Sequence, residues 1–359
     1  TQTQIKQQTK HKHKHKPNNK PNNKSNNKPN ERHPPSHTSH NLIHLIMSFM
    51  SLVSSQVLRQ SPTFVALSCL PHSRRSLHAI AAHQGALGVA KKVGVIGVPI
   101  DMGAGRRGVD MGPSAVRLAK INTRISELGY DVIDHGNISV TQKEERDIHD
   151  ENARYWPYIE QVVTDLARQT EAMYTAGQFP LTLGGDHCVG AGSMAGVQRA
   201  RKKLGLPPMG LLWFDAHTDM NTPETTPSGN LHGMPVAALL GMQVKGLSSC
   251  VGQDALFDPK RVAFIGIRDV DANESRNLAD MGLTPGKNIF TMREIDELGM
   301  AEVMRRALYQ VAPARGPFAL SLDIDALDPE EAPGVGTPVP GGISYREAHL
   351  AMEIISDHG

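Results

Sequence analysis

The stretch of this sequence best suited to chemistry is WFDAHTDMN, residues 213–221. It carries Asp215, His217 and Asp219 at every second position, directly after an apolar run. In an extended chain, residues i, i+2 and i+4 point to the same side, so two carboxylates and an imidazole would crowd one face. Without a cation, this crowding would raise the carboxylate pKa values and destabilise the fold. The spacing therefore predicts a bound positive ion.

Two further apolar runs end in the same kinds of side chain. In SLDIDALD, Asp323 and Asp325 again stand two positions apart, and LTLGGDHC places His187 after a run of strand length. A single Asp or His at a strand end often only caps a helix or closes a turn, but convergence of three such groups favours a binuclear metal site. Two imidazoles among carboxylates suit Mn²⁺ or Mg²⁺ better than structural zinc. Two such ions would activate water, so we predict metal-assisted hydrolysis.

The elements that must position these groups are five apolar runs of strand length. They are KKVGVIGVPI (91–100), FPLTLGG (179–185), MGLLWFD (209–215), RVAFIGI (261–267) and FALSLDID (318–325). Helical segments such as 158–175 and 300–311 separate them. This alternation predicts an α/β fold, a three-layer α/β/α sandwich with a mainly parallel central sheet. In such sheets, ligands bind at the carboxyl ends of the strands, which is where the polar groups occur.

Composition divides the chain into three parts. Residues 1–46 are a low-complexity tail rich in Lys, His and Asn, which we predict to be disordered. Residues 47–91 contain Ser and Arg but no acidic residue, which is typical of a transit peptide or linker. This segment predicts a mitochondrial location, with the cytoplasm as the alternative. Residues 92–359 are predicted to form the catalytic domain.

Charge and hydropathy exclude several classes of function. The net charge of +2 hides an asymmetry, because 24 of the 38 Lys and Arg but 35 of the 36 acidic residues follow residue 92, a net charge of −11 there. A domain this acidic has no basic footprint for nucleic acid. No apolar stretch reaches the roughly 18 residues that a membrane span needs. We therefore predict that the protein neither binds nucleic acid nor spans a membrane.

Four motifs together resemble the arginase family of ureohydrolases. They are LGGDHCVG (183–190), DAHTDMNTPETTPSGNLHGMP (215–235), IGIRDVDANE (265–274) and SLDIDALDPEEAPGVGTPVPGG (321–342). The resemblance runs from about residue 92 to the end, and SGNLHG is typical of arginases within the family. It implies an arginase-like fold, two Mn²⁺ ions per subunit, hydrolysis of L-arginine to L-ornithine and urea, and a homo-oligomer, either a trimer or a hexamer.

The resemblance also implies roles for the metal-site residues. One ion would be bound by His187, Asp215, Asp219 and Asp323. The other would be bound by His217, Asp215, Asp323 and Asp325. With Asp215 and Asp323 as bridges, a hydroxide shared by the ions would attack the guanidinium carbon of L-arginine. Asp219 would pass a proton to the leaving amine, and His232 would act as a proton shuttle, since imidazole titrates near neutrality.

The same resemblance assigns the residues that would bind the substrate. Asn221 and Ser228 would donate to its α-carboxylate, Asp271 and Glu274 would face its α-ammonium group, and Thr337 would line the guanidinium pocket. Turn chemistry alone would also select Asn and Ser in this loop of Thr, Pro and Ser. The loop nevertheless distinguishes arginases from agmatinases, because agmatine has no carboxylate to bind.

One departure from the family concerns the C-terminus. Family members continue to a further strand with a Glu in an EVNP-like motif that anchors the guanidinium, so we interpret the chain as incomplete at its C-terminal end. Two alternatives to an arginase stay open at this point. One is an agmatinase or another ureohydrolase of guanidino compounds, and the other is a non-catalytic subunit that binds arginine and regulates a partner.

Overall fold

A central β-sheet forms from the apolar runs and from three strands that the sequence did not predict. The computed structural model describes residues 64–67, 92–252 and 254–358, and in this part of the chain eight strands form one sheet. The strands are β1 (Phe64–Leu67), β2 (Lys92–Val98), β3 (Asp131–Asn137), β4 (Gln178–Gly184), β5 (Gly210–Phe214), β6 (Val262–Ile267), β7 (Ile289–Thr291) and β8 (Phe318–Asp323). Their order across the sheet is β3-β2-β4-β1-β8-β5-β6-β7.

Helices cover both faces of this sheet. Over the same described residues they are α1 (Gly112–Leu118), α2 (Ile121–Glu127), α3 (Trp156–Thr175), α4 (Cys188–Lys203), α5 (Pro235–Leu239), α6 (Ser248–Val251), α7 (Ala272–Asp280), α8 (Met292–Leu298), α9 (Met300–Val311) and α10 (Tyr345–His358). One hydrophobic core lies between one face of the sheet and helices α1, α2, α8, α9 and α10. A second lies between the other face and helices α3 to α7. The predicted three-layer α/β/α sandwich is confirmed.

The strand sequences explain why both faces are covered. In β5, Leu212 and Phe214 belong to the first core, whereas Leu211 and Trp213 belong to the second, as the two-residue period of a strand requires. Val303 lies on the buried face of helix α9, and the other buried residues of that face belong to the first core as well. A strand that is apolar on both sides cannot lie at a water-exposed surface, so the sheet is central.

The sheet contains both parallel and antiparallel strand pairs because of β1. Every other strand pair is parallel, but β1 runs antiparallel to both β4 and β8, with Phe64 opposite Gly184 and Asp323. Strand β1 falls within the segment predicted to be a transit peptide or linker. The predicted disordered tail and the other residues of that segment lie outside the described residues.

The loop after β4 packs closely against the end of β2. The backbone N–H of Asp186 donates to the carbonyl oxygen of Ile100 at 2.8 Å. A Cβ atom on Gly185 would lie 1.9 Å from that same oxygen, so only glycine permits this approach. Among the helices of the described residues, none is both long and apolar enough to cross a bilayer.

Candidate metal centre

The ends of strands β4, β8 and β5 bring the six predicted metal ligands to one edge of the sheet. His187 follows β4 and caps the start of α4, three more follow β5, the fifth ends β8, and the sixth lies in the turn directly after β8. The six are His187, Asp215, His217, Asp219, Asp323 and Asp325. Four of them are at most 4% exposed, and the other two are partly buried. Charged groups this deeply buried require compensating partners.

A first group of ligand atoms surrounds His187. Its Nδ1 atom lies 2.9 Å from Asp215 Oδ2, 2.9 Å from Asp219 Oδ2 and 3.1 Å from Asp323 Oδ2. A single ring nitrogen carries at most one proton and cannot satisfy three carboxylates. The buried Oδ2 of Asp219 accepts no hydrogen bond within the described part of the chain. A divalent cation fits this donor set, because it would supply the positive charge that these oxygens lack.

A second group of ligand atoms surrounds His217. Its Nδ1 atom lies 3.2 Å from Asp215 Oδ1 and 3.2 Å from Asp325 Oδ2. Asp215 therefore presents one oxygen to each group, as a bridging ligand would. Asp323 differs, because its Oδ2 faces the first group while its Oδ1 accepts the backbone N–H of Asp325 at 2.9 Å. The bridging role of Asp323 stays a prediction.

The pKa values of these side chains reflect the crowding of charge. Burial, together with the charges of Asp323 and Asp215, raises the pKa of Asp325 to about 7. Burial and the charge of Asp215 raise the pKa of Asp219 well above its usual value. Burial opposes the charged form of His217, but hydrogen bonds to Asp215 and Asp325 raise its pKa to about 12. The site thus stabilises positive charge, which is what a metal centre requires.

The backbone at Asp219 departs from the extended chain that the sequence suggested. Strand β5 ends at Phe214, before the motif begins, and Asp219 has a φ of 53°. This left-handed conformation is uncommon outside glycine, although Asp tolerates it better than most residues. The turn, rather than strand alternation, brings Asp219 to His187, so the expected regular alternation of all three ligands on one strand face is wrong.

His232, the predicted proton shuttle, lies in the loop that follows the metal motif. Its backbone N–H donates to the carbonyl oxygen of Gly103 at 3.2 Å, which ties this loop to the one after β2. Burial lowers the pKa of its side chain to about 4, and the positive charges of His217 and His187 act in the same direction. At neutral pH the imidazole is therefore uncharged, and its pKa lies below the near-neutral value on which the predicted shuttle role was based.

The predicted substrate residues are held by one another. Asn221 Nδ2 donates to Asp271 Oδ2 at 2.7 Å, while Oδ1 of Asp271 caps helix α7. Glu274 is buried and accepts hydrogen bonds from the Thr218 hydroxyl at 2.9 Å and from the backbone N–H of Met220. The structure therefore brings three of the predicted residues together as a support for the loop.

The other two predicted substrate residues lie apart from that cluster. The Thr337 hydroxyl donates to Asp325 Oδ2 at 2.9 Å, so Thr337 directly contacts a predicted metal ligand. Ser228 is exposed in the same loop as Asn221, and its hydroxyl accepts the backbone N–H of Asn230 at 3.3 Å. Their roles toward a substrate stay predictions.

Two residues that support the ligands were not identified from the sequence. Ser321 Oγ lies 2.9 Å from His187 Nε2, which leaves Nδ1 facing the carboxylates. The indole of Trp213 stacks on His187 at a centroid distance of 4.1 Å, and its Nε1–H donates to Asp215 Oδ2 at 3.0 Å. Each precedes a predicted ligand by two positions, so the two-residue period of a strand could have found both.

The fold and the paired ligand groups define the class of metal-dependent hydrolases with a largely parallel α/β/α core. Within this class the chain belongs to the arginase family, whose sequence model, described as Arginase family, matches residues 91–359. An arginase of Brevibacillus brevis is 44% identical over 267 residues, which cover 74% of this chain and 86% of that relative.

Solved structures agree with this assignment. Arginase from Bacillus caldovelox superposes with a TM-score of 0.68 at 41% identity, over 75% of this chain and 87% of that one. Arginase from Bacillus cereus gives a TM-score of 0.66 at 42% identity, over 75% and 86% of the two chains. The prediction of a mitochondrial location is wrong, because these similar relatives are proteins of bacteria, which have no mitochondria.

Proposed function

We propose that this protein hydrolyses L-arginine to L-ornithine and urea with two Mn²⁺ ions held by the two ligand groups. The observation that carries the proposal is the shared carboxylate of Asp215, whose two oxygens face the two histidine-centred groups. Family membership supports the reaction, since the relatives at 38–44% identity are named arginases. The oxygen-rich ligand set supports Mn²⁺ over the soft metals that thiolates select.

The bound ions, Asp219 and His232 would each have a separate role in the hydrolysis. When bound, the two ions would lower the pKa of a water molecule and so supply the nucleophile. Asp219, next to His187, would hold the proton that the leaving amine requires. The neutral imidazole of His232 would carry protons between the site and solvent, because it lies outside both ligand groups.

The substrate would be oriented by the loop between Asp219 and His232. We propose that Asn221 and Ser228 donate to its α-carboxylate and that Asp271 faces its α-ammonium group. Glu274 would act through Asp271, whose backbone N–H it accepts at 3.3 Å, because its carboxylate is buried against the loop. The homo-oligomer expected from the family stays a prediction.

Urea release from L-arginine and from agmatine tests the proposed substrate. With Mn²⁺ bound, we expect kcat/KM to favour L-arginine, because the two neutral donors have a carboxylate to bind only in that substrate. Each hydrogen bond to a carboxylate contributes about 1.5 to 3 kcal/mol, or roughly ten- to a hundredfold in selectivity. The double variant Asn221→Ala with Ser228→Ala should lose this preference and keep its metal.

A matched control separates direct contact from loop placement. Asn273 holds the same loop from outside, donating from Nδ2 to the carbonyl oxygen of Thr225 at 2.7 Å. We expect Asn273→Ala to change kcat/KM for both substrates alike. A wild-type preference for agmatine would overturn the proposed substrate. Equal selectivity in wild type and the double variant would overturn only the roles of Asn221 and Ser228.

A further inference from the structure

Arg268 occupies an unusual position beside the metal centre. It follows β6 at the edge where the ligands converge, and its backbone N–H donates to the carbonyl oxygen of Ala216 at 2.9 Å. Within the described part of the chain, its partly buried guanidinium makes six hydrogen bonds, all of them to backbone carbonyl oxygens. The acceptors are Gly266, Asp325, Ala326, Leu327 and Val339.

Apart from Gly266, which lies in β6 itself, these acceptors belong to the segment that carries Asp325 and Thr337. Three of them form the turn of Asp325, and the bond to the Asp325 carbonyl oxygen itself is 2.7 Å long. Val339 lies two residues beyond Thr337, whose hydroxyl bonds to Asp325 Oδ2. Arg268 therefore fixes both the backbone of Asp325 and the loop that orients its side chain.

The carboxylate of Asp325 is placed by this arrangement. Its Oδ1 accepts the backbone N–H of Ala216 at 3.1 Å, and its Oδ2 lies 3.2 Å from His217 Nδ1. The hydrogen bonds that hold the first group differ, since His187 is held by Ser321 and stacked on Trp213. Apart from the carboxylate of Asp215 and the hydrogen bond from the backbone N–H of Asp325 to Asp323 Oδ1, the two groups thus have separate supports.

We propose that Arg268 is a positioning residue that sets the affinity of the second metal, the one held by His217, Asp215 and Asp325, and leaves the first metal unaffected. This inference rests on the proposed two-metal function. Arginine suits the task because its planar guanidinium has five N–H donors in a fixed arrangement. A lysine keeps the positive charge but has three donors on one atom, so it cannot reach carbonyl groups on both segments at once.

The same strand offers a matched control at its other end. Arg261 precedes β6, and its side-chain hydrogen bonds to the described residues also all go to backbone carbonyl oxygens, those of Val311, Pro208 and Pro317. Burial lowers the pKa of both arginines. The change Arg261→Lys therefore removes a comparable network far from the ligands, and any general loss of stability should be similar in the two variants.

The test is a Mn²⁺ titration of the metal-free protein, followed by calorimetry and by the electron paramagnetic resonance of the bound ions. Wild type should bind two ions. In Arg268→Lys we expect one site to weaken by roughly 10- to 100-fold, the effect typical of losing the support of a ligand, while the other keeps its affinity. Arg261→Lys should keep both affinities, although both variants unfold at a lower temperature.

The possible outcomes separate the inference from the function on which it rests. Fewer than two ions in wild type would contradict the two-metal function. Two ions in wild type with unchanged affinities in Arg268→Lys, or with equal weakening of both sites, would overturn the role of Arg268 alone. If Arg268→Lys gives no folded protein, Thr337→Val loosens the same carboxylate of Asp325 and must show the same selective loss, or the inference fails.

Discussion

Asp215→Asn is expected to lose at least one of the two Mn²⁺ ions and nearly all hydrolysis of L-arginine. Asp215 gives Oδ2 to the His187 group and Oδ1 to the His217 group, and asparagine replaces one of these oxygens with an NH₂ group that cannot bind a cation. A loss of about 10³-fold in kcat/KM, or about 4 kcal/mol, corresponds to the stabilisation that a metal centre supplies. Metal content and urea release measure the two effects.

Asp269→Asn is the matched control for this prediction. Asp269 lies at the same edge of the sheet, but its side chain is 65% exposed and its Oδ2 is 3.8 Å from Nε2 of His217, the ring nitrogen that faces away from Asp215. The control should keep both ions. Two ions retained in Asp215→Asn would remove the shared carboxylate as the basis of the site.

His232→Ala should have a different signature, with both metal ions retained and turnover lowered. General acid–base groups typically contribute 10²- to 10⁴-fold, so we expect kcat to fall by about that factor while KM changes little. The reason is position, because the imidazole of His232 is neutral and lies outside both ligand groups. Steady-state kinetics together with metal analysis of the purified variant test this.

Two comparisons test whether His232→Ala lowers turnover because a base is lost or only because packing is disturbed. His135→Ala removes an exposed imidazole that contacts Gln178 in β4, and it should leave kcat unchanged. Added free imidazole should partly restore turnover in His232→Ala, since a small base can replace the missing one. Loss of metal from His232→Ala would show that the residue supports the ligands instead of moving protons.

Much of the metal centre could be predicted from spacing. Polar residues at the carboxyl ends of apolar runs must meet at one edge of a parallel sheet, whatever the loops do. This reasoning alone predicts that His187, Asp215 and Asp323 lie together. It works because strand direction and side-chain alternation are set by the backbone, and both can be read from a pattern of apolar residues.

Other features could not be predicted in this way, for physical reasons. The left-handed turn at Asp219 depends on tertiary contacts that overcome a local conformational cost. The edge strand β3 is mostly exposed and lacks an apolar run, and β7 has only three residues. The hydrogen bond that the Thr218 hydroxyl donates to Glu274 joins segments 56 positions apart. Local patterns carry no information about such distant pairs.

Trp213 gives this protein an optical property that follows from its place in the site. Its indole ring stacks on His187 and donates to Asp215, so the electric field at the ring changes when these two side chains exchange protons for a cation. The chain has only one other tryptophan, Trp156, whose ring lies 4.8 Å from Lys245 Nζ. Once Trp156→Phe removes that second emitter, intrinsic fluorescence becomes a direct, label-free record of metal entering and leaving the centre.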